Sequence, residues 1–266
     1  MPTDIYSQKV WVDKFIPKEP ADNADEERVG KILDMIPTEA RTVLDIGIGG
    51  GYIYRRLKDR NALRCFGLDI SFDLVKLAGG TGLCVGDAAS LPFKDGQFDL
   101  VLAADVLEHI KDKSFEDAVS EVVRVSNRYI LINSPYKDTV DWPVSLCGVC
   151  KKEFNIYGHM RMIDMKLIKR VFPGNKFDVL KAEVIGKKRD RRPSFLVRLA
   201  RRYGRVYSAE GAICPHCLNF VIAQPPRNVL QDIFGKTICA IFLLIDRCMP
   251  PLFKDGSEIR VLVRKK

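Results

Sequence analysis

The sequence lacks any apolar stretch long enough to cross a lipid bilayer. Its longest uninterrupted apolar run, residues 238–245, is far shorter than the roughly 20 residues that a transmembrane helix needs. The beginning, MPTDIYSQKVWVDKF, mixes acidic and basic side chains with apolar ones, whereas a secretory leader has a continuous apolar segment. Internal repeats and low-complexity tracts are also missing. We therefore expect a globular, cytoplasmic protein without a transmembrane segment.

Acidic residues are in deficit. Asp and Glu number 34 against 43 Lys and Arg, which gives a formal net charge of +9 and a pI near 9.1. This balance favours acidic partners, namely RNA, an anionic membrane surface or a phosphorylated substrate. The 266 residues, 47% of them hydrophobic, are enough for one large domain or two small ones with a substantial core.

Short aliphatic runs alternate with helical stretches through the first half of the chain, which is typical of a parallel sheet. The predicted strands are TVLDIGI, RCFGLDI, GLCVGDA, FDLVLAADV and RYILINSP, followed later by residues 177–185 and a closing EIRVLVRKK. The sequence predicts an α/β fold with a Rossmann-like, doubly wound, mostly parallel seven-stranded sheet whose last strand is antiparallel.

Two interruptions divide this pattern. We predict an N-terminal helical cap (1–40), a core (41–185) with an insertion at about 137–158, a basic helical insertion that forms a lid (186–256), and a final core strand (257–266). The second insertion begins with a basic run, Lys187, Lys188, Arg189, Arg191 and Arg192. Its helices can pack on the core with their charges solvated, contact RNA, or lie at a lipid surface, and these alternatives stay open.

A glycine-rich loop follows the first strand, with the sequence Asp45-Ile46-Gly47-Ile48-Gly49-Gly50-Gly51. Glycines at 47, 49 and 51 let the backbone turn sharply and approach a ligand. The preceding acid, Asp45, would repel a phosphate but suits a cation such as the ammonium or sulfonium group of S-adenosylmethionine. The loop therefore favours that cofactor over a dinucleotide.

Acids also end the next two predicted strands. Asp69, 24 residues beyond Asp45, is placed where a carboxylate can accept both hydroxyls of a ribose. Asp87 could accept from an adenine amino group. The predicted apolar walls beside that base are Leu68, Ile70 and Leu91.

The set VLDIGIGGG, GLDIS and GDAASLPFKDGQFDLVLAADVLEHI resembles the class I S-adenosylmethionine-dependent methyltransferases of the type 11 and 23 groups, over about residues 41–135. The resemblance implies contacts to the cofactor's methionine from Asp45 and the glycine loop, to its ribose from Asp69, and to its adenine from Asp87 and Ala88. The resemblance gives almost no information about the acceptor. The Lys-Pro-Gly-Gly turn usual before the fifth strand is replaced by Val-Ser-Asn-Arg (125–128), at a connection remote from the cofactor.

Asp105, Glu108 and His109 follow the fourth strand as D-x-x-E-H, a spacing that can gather two carboxylates and an imidazole at one helix start. The trio is similar to the acid-x-x-Glu-His of the ubiquinone-pathway O-methyltransferases and the small-RNA 3′-end methyltransferases, where a metal engages the acceptor hydroxyls. Their further histidine would correspond to His159. We predict these four residues on the acceptor side, as ligands of a second divalent ion or with a histidine as general base. Simple helix capping is the alternative for the acids.

Cysteines occur as two C-x-x-C pairs, Cys147/Cys150 and Cys214/Cys217, a spacing that lets two thiolates bind one tetrahedral ion. Both pairs lie in connections that leave the same edge of the predicted sheet, which favours one structural zinc bound by all four. Disulfides, a redox pair and free thiols are the alternatives, disfavoured by the missing leader and the missing thioredoxin-type context. The solitary cysteines, Cys65, Cys84, Cys239 and Cys248, are expected to be core packing.

Taken together, these patterns predict a methyltransferase that uses S-adenosylmethionine and O-methylates a small-molecule or a lipid- or glycan-linked acceptor. Methyl transfer from a sulfonium is an in-line displacement, so orientation and desolvation matter more than a catalytic triad. RNA methylation is one alternative. A non-catalytic zinc-binding interaction module that retains the methyltransferase fold is the other.

Overall fold

The computed structural model describes residues 23–60, 62–136, 143–185, 194–204, 207, 213–220, 222–223, 228–248 and 257–266. The chain divides into two compact units. The first comprises the described parts of Met1–Tyr136, Ile163–Val184 and Glu258–Lys266, and the second those of Lys137–Met162 and Ile185–Ser257. The predicted basic run at 187–192 lies outside the described residues, and the lid remains a prediction from the sequence.

The first unit is an α/β layer structure. Its elements are α1 (Asn23–Leu33), β1 (Thr42–Ile46), α2 (Tyr52–Lys58), β2 (Arg64–Asp69), α3 (Phe72–Ala78), β3 (Leu83–Val85), β4 (Phe98–Ala104), α4 (Asp112–Val125), β5 (Ser126–Pro135), α5 (Met165–Val171), β8 (Phe177–Ile185) and β10 (Glu258–Lys265).

These strands form one seven-stranded sheet with the order β3-β2-β1-β4-β5-β10-β8. β1 runs parallel to β2 and β4, β4 runs parallel to β5, and β10 is antiparallel to β5. The predicted fold class is therefore confirmed. Chain order reverses between β1 and β4, and in doubly wound sheets ligands bind beyond the carboxyl ends of the strands at such a switch point.

Both faces of the sheet are buried, which is why its central strands are almost continuously apolar. One face packs side chains such as Ile46, Val101 and Ile130 against α4 and α5, and the other packs Leu100 and Leu102 against residues of α1 and α2. On α4 the buried residues recur at helical spacing: Phe115, Ala118, Val119, Val122 and Val125. Burying each of the larger side chains contributes about 1.5–3 kcal/mol.

The segment around the start of β5, residues 125–128, is a direct junction between a helix and a strand. α4 ends at Val125 and β5 begins at Ser126, with no loop between them. The Ser126 hydroxyl donates to the Tyr129 carbonyl at 2.9 Å, and the β4–β5 register shifts beside it, between Phe98 and Leu100. This junction lies at the amino end of β5, away from the carboxyl edge where ligands bind.

The second unit contains a helix pair and a small sheet. The helices are α6 (Ser194–Gly204) and α7 (Val229–Cys248), and the antiparallel sheet has the order β7-β6-β9, with β6 (Val144–Cys147), β7 (Glu153–Asn155) and β9 (Ile222–Ala223). The two helices pack through Val197, Ala200, Ile238 and Phe242. Among the residues that the structure describes, no helix combines the length and the apolar character needed to traverse a bilayer.

Candidate functional site

Asp45, the first of the three acids, lies near the end of β1, between Gly67 of β2 and Leu102 of β4. Its side chain is only 2% exposed, and Oδ2 has no hydrogen-bond partner among the described residues. Burial, and secondarily repulsion from Asp69, raises the pKa of Asp45 to about 8. A buried carboxylate with an unmet acceptor atom is a position that a bound cation would stabilise.

The glycine loop adopts backbone conformations that other residues avoid. Gly47, Gly49 and Gly51 all have positive φ, at +70°, +53° and +80°. A Cβ on Gly47 would overlap the Val106 side chain, and one on Gly51 would lie 2.5 Å from the Ala78 Cβ. The loop therefore needs glycine both for its turn and because neighbouring elements pack directly against it.

Asp69, the second acid, holds the glycine loop in place. Its Oδ2 accepts from the Gly49 backbone N–H and its Oδ1 from that of Ser71, each at 2.9 Å. Burial raises the pKa of Asp69, and these backbone N–H groups oppose that shift. The sequence did not reveal this link between the end of β2 and the loop after β1, because it joins residues 20 positions apart. Ile70, half-buried, follows directly.

Asp87, the third acid, is exposed. Its Oδ1 accepts from the Ala89 N–H at 2.9 Å, which forms a local turn around the half-buried Ala88. Leu68 and Leu91, two of the predicted apolar walls, are buried. The structure therefore gives Asp87 a local partner and leaves its carboxylate open to solvent.

Arg124 on α4 holds the loop that follows Asp87 through hydrogen bonds. Its guanidinium donates to the Leu91 carbonyl at 3.0 Å and the Phe93 carbonyl at 2.7 Å, and pairs with Asp95 and with Glu121. The sequence analysis did not single out this arginine. Its only sequence signal is the Glu-x-x-Arg spacing on an amphipathic helix, which is common on surfaces without such a role.

Asp105 is engaged in an ion pair. It has a left-handed backbone, with φ +56°, and its Oδ2 accepts from Arg28 Nη1 at 2.6 Å. Its Oδ1 accepts from Asn133 Nδ2 at 3.1 Å, and Asn133 Oδ1 in turn accepts from Arg260 Nε at 3.0 Å. Arg260 is fully buried and pairs with Glu258 at 3.3 Å. The residue predicted as a metal ligand thus joins α1, β5 and β10 in one polar network.

Glu108 and His109 lie in a turn, so the prediction that this motif opens a helix is wrong: α4 begins only at Asp112. The left-handed residue Asp105 redirects the chain after β4, and the His109 N–H closes the turn on the Val106 carbonyl at 3.0 Å. Glu108 is buried and His109 half-buried. Because His159 belongs to the second unit, the predicted joint metal site of these residues stays a prediction.

In the second unit, the four paired cysteines come together. The sulfurs of Cys147 and Cys217 are 3.5 Å apart, those of Cys150 and Cys214 are 3.6 Å apart, and all four lie within 4.8 Å of one another. All are free thiols. A tetrahedral zinc with sulfur bonds of about 2.3 Å separates its ligands by roughly 3.8 Å, so the cluster has the dimensions of a zinc tetrathiolate.

The two cysteine turns share one backbone design. In the first, the Cys147 N–H donates to the Lys152 carbonyl and the Lys151 N–H to the Cys147 carbonyl, with φ +59° at Lys151. The turn that begins at Cys214 repeats both bonds at the same spacing, and Leu218 also has φ +59°. Two equivalent turns that present thiols to a common centre are what a closed metal site requires.

Backbone N–H groups stabilise negative charge on these sulfurs. Val149 and Cys150 donate to Cys147 Sγ, each at 3.4 Å. The N–H of Asn219 is the main cause that lowers the pKa of Cys217 to about 6, whereas burial raises the pKa of Cys214. Of the solitary cysteines, Cys65 is buried, Cys84 and Cys239 are half-buried, and the Cys248 side chain lies outside the described residues.

A cavity of about 260 Å³ lies beside the second cysteine turn, within the second unit. Its polar lining residues are Glu153, Asn155, His159, Arg201 and His216. Glu153 contacts Arg201 at 3.5 Å and accepts from the Tyr207 hydroxyl at 2.7 Å. The family resemblance placed His159 on the acceptor side, and the sequence offered no sign that His159 and His216 line one cavity.

Comparison with known proteins places the first three acids inside a recognised domain. Residues 44–128 match the family described as "Methyltransferase domain". The match begins in β1 and ends in β5, so it contains Asp45, the glycine loop, Asp69 and Asp87. Residues 44–128 of the first unit are therefore similar to a methyltransferase domain.

Two curated relatives resemble this region. Norajmaline N-methyltransferase of Rauvolfia serpentina is 35% identical over 109 residues, which cover 37% of this chain and 37% of that protein. Chloroplastic tocopherol O-methyltransferase of Arabidopsis thaliana is 34% identical over 112 residues, 38% of this chain and 29% of that protein. The chain thus spans less than two fifths of the length of either relative.

Solved structures support the fold over a longer range. A SAM-dependent methyltransferase from Archaeoglobus fulgidus superposes with a TM-score of 0.53 at 20% identity, covering 91% of this chain and 94% of that one. The [4+2]-cyclase SpnF gives the same TM-score at 17% identity, covering 91% of this chain and 81% of that one. At such identities the likeness shows the Rossmann-like methyltransferase fold alone, which proteins with different reactions share.

Proposed function

We propose that the protein is an S-adenosylmethionine-dependent methyltransferase. The observation that carries this proposal is the buried Asp45 carboxylate, whose Oδ2 lacks a hydrogen-bond partner among the described residues, beside a glycine loop held by Asp69. Two buried acids at neighbouring strand ends are costly unless something cationic compensates them. The family match over residues 44–128 supports a sulfonium nucleoside as that ligand.

The residues present fit this cofactor. Asp45 would bind the ammonium group of its methionine moiety, next to the glycine backbone. Asp69, already oriented by two backbone N–H groups, retains lone pairs for the ribose hydroxyls. Asp87 and Ala88 would contact the adenine, against the buried Leu68. When bound, the cofactor would supply a methyl group to the nucleophile, with the carbon–sulfur bond broken and the neutral thioether S-adenosylhomocysteine as the leaving group.

We further propose that the acceptor is a hydroxyl of a small molecule or of a lipid- or glycan-linked compound. A hydroxyl must lose a proton on methylation, and His109, half-buried after β4, would take it on an imidazole nitrogen. Asp105 would act indirectly, since Arg28 and Asn133 already engage its carboxylate and fix the turn that carries His109. One relative is named for O-methylation and another for N-methylation, so an amine acceptor is the competing outcome.

For the second unit we propose one zinc ion bound by Cys147, Cys150, Cys214 and Cys217. The sulfur separations of 3.5 and 3.6 Å and the paired turns support this assignment. Four thiolates complete a tetrahedral shell and leave no open position, so the role of the ion is structural.

Calorimetry with S-adenosylmethionine and with its demethylated product, S-adenosylhomocysteine, tests the cofactor. We expect the protein to bind both, and Asp45→Asn and Asp69→Asn to weaken binding at least tenfold each, since a hydrogen bond to a charged group contributes about 1.5–3 kcal/mol. Asp117→Asn, at an exposed acid on α4, is the matched control and keeps full affinity. Absence of binding by the folded wild-type protein would overturn the proposal.

Turnover is tested by incubating the protein with methyl-labelled cofactor and fractionated cell extract. Label in a small-molecule or lipid fraction, assigned to an O-methyl group by NMR and lost in His109→Ala, supports a hydroxyl acceptor. Label in RNA or protein contradicts the proposed acceptor class. Cofactor binding without label in any fraction contradicts catalysis while leaving the binding site intact.

A further inference from the structure

Helix α7 has two apolar faces. One carries Ile238 and Phe242 and is buried against α6. The other carries Leu230, Ile233 and Leu244, which are 78%, 57% and 58% exposed. We call this second face, completed by the exposed Val229 and by Phe234, the α7 stripe. Val229, Leu230, Ile233 and Phe234 cluster in the first two turns, and Leu244 lies on the same face about three turns further on.

Basic and aromatic side chains continue this surface onto α6. That helix has three arginines and no acid, and Arg198 and Arg202 are exposed one turn apart. The Arg202 guanidinium lies 5.5 Å from the centre of the Tyr203 ring. Tyr203 in turn meets the Phe234 ring of the α7 stripe edge-on, with 6.1 Å between centroids. The exposed arginines of α6, the Tyr203 ring and the α7 stripe therefore form adjacent parts of one surface on the helix pair.

The net charge of the chain is concentrated in the same part of the sequence. Residues 186–207 contain nine Lys and Arg and a single acid, Asp190, a net +8 of the formal +9 of the whole chain. Residues 186–193 and 205–206 lie outside the described residues, and only their sequence is used here. The remainder of the protein is close to neutral, so this region defines which charged partner the protein attracts.

We propose that the α6–α7 surface docks the protein on an anionic lipid bilayer. The α7 stripe would enter the boundary between headgroups and acyl chains, with α7 in the membrane plane, while Arg198 and Arg202 contact lipid phosphates. Tyr203 has the amphipathic ring that is favoured at that depth. The inference concerns the second unit alone and is independent of the proposed methyltransferase activity.

Two other occupants fit the surface less well. A second copy of this chain would bring two strongly positive segments together at the same interface, which is repulsive. RNA would use the arginines but would gain nothing from exposed Leu230, Ile233 and Leu244, which offer neither stacking rings nor hydrogen bonds. Only a bilayer surface supplies an apolar layer directly beneath a sheet of anions.

Cosedimentation with vesicles tests this proposal on the full-length protein. We expect binding to phosphatidylcholine vesicles that contain about 30% phosphatidylserine, little binding to phosphatidylcholine alone, and loss of binding at high salt. Leu230→Ser combined with Ile233→Ser should weaken binding at least tenfold. Arg198→Gln combined with Arg202→Gln should weaken it about 25-fold, or roughly fivefold for each charge.

The matched control is Leu180→Ser combined with Val184→Ser, two exposed apolar residues of β8 in the first unit, and it should bind vesicles like the wild type. Circular dichroism verifies that each variant is folded, and Leu244→Ser, at the far end of the stripe, gives an independent apolar test. The proposal is overturned if anionic vesicles are not bound, or if the α7 variants bind them normally. It is also overturned if the Leu230 and Ile233 changes abolish a dimer in sedimentation equilibrium, or if polyuridylate RNA is bound and vesicles are not.

Discussion

The two units support their functional groups in different ways. In the first, the three acids lie at or just beyond the carboxyl ends of strands in a seven-stranded sheet that is covered on both faces by large apolar clusters. In the second, the described strands have only four, three and two residues, and four buried side chains join the helix pair. A sheet-based site owes its geometry to a hydrophobic core, whereas a unit this thinly packed depends on cross-links such as a metal site.

Loss of the proposed zinc should have a large effect on the second unit and little effect on the first. Cys147→Ser combined with Cys214→Ser should abolish zinc binding and unfold the second unit, because a structural zinc contributes on the order of 10 kcal/mol to a small domain. Zinc content by mass spectrometry and limited proteolysis measure this. Calorimetry with S-adenosylhomocysteine should still show binding by the first unit.

Cys84→Ser, at a half-buried thiol outside the cluster, is the control and should keep one zinc per chain. If the double cysteine variant resists protease as well as the wild type does, the second unit does not depend on a metal cross-link.

Asp45→Asn should stabilise the first unit and remove a pH dependence. The folded pKa of Asp45 is about 8 and its unfolded value about 3.8, so the folded state holds the extra proton between those values. Stability should therefore fall as pH rises from 4 to 8 in the wild type. The asparagine variant lacks this loss, so its stability advantage over the wild type should grow as pH rises from 4 to 8.

Urea unfolding of the ligand-free protein at several pH values measures this difference. The exposed Asp117→Asn variant should parallel the wild type. Equal stability of Asp45→Asn and wild type across the range would show that the carboxylate has a compensating partner in the folded state.

Gly47→Ala should destabilise the first unit by about 2–3 kcal/mol. The new methyl group overlaps Val106, and alanine pays about 1–2 kcal/mol for the left-handed backbone at φ +70°. Adding Val106→Ala should recover only the part due to the overlap, since the backbone strain remains. Thermal unfolding of the single and double variants gives both contributions, and full recovery in the double variant would argue against strain.

Arg124→Ala should have the smallest effect, a slight loss of stability, because the Leu91 and Phe93 carbonyls lose their donor. Asp95 is largely exposed and adds little. Hydrogen exchange should show faster opening of residues 91–95 while the strands stay protected. Arg170→Ala, at an exposed arginine that pairs only weakly with Glu116 at 3.6 Å, is the control.

Much of the first unit could be predicted from the sequence because its signals are local. The alternation of strands and helices fixes a doubly wound sheet, and acids directly after strands fall at one edge of it. α2 and α3 fill the stretches between the first three predicted strands. The predicted helix start at Asp105–His109 was wrong: Asp105 has a left-handed backbone and pairs with Arg28, 77 residues away, and α4 begins only at Asp112.

Other features depended on pairing across longer distances. The link from Asp69 to Gly49, the attachment of Arg124 to the loop after Asp87, and the three-stranded sheet of the second unit all join segments that no local pattern connects. The C-x-x-C spacing did indicate two pairs of ligands. The placement of both pairs at one edge of the predicted sheet also indicated a shared centre, and the structure brings the four sulfurs within 4.8 Å of one another.

The sequence by itself determined the fold class, the glycine loop and the three acids at the ends of strands. Backbone conformation and hydrophobic periodicity depend on residues that are close together in the chain. Only the tertiary structure decided that Asp45 is buried without a hydrogen-bond partner in the described chain, that Asp105 belongs to an ion pair, and that α7 leaves one apolar face uncovered. Burial and the pairing of charges depend on which distant side chains come to occupy the same space, and that is settled when the elements pack.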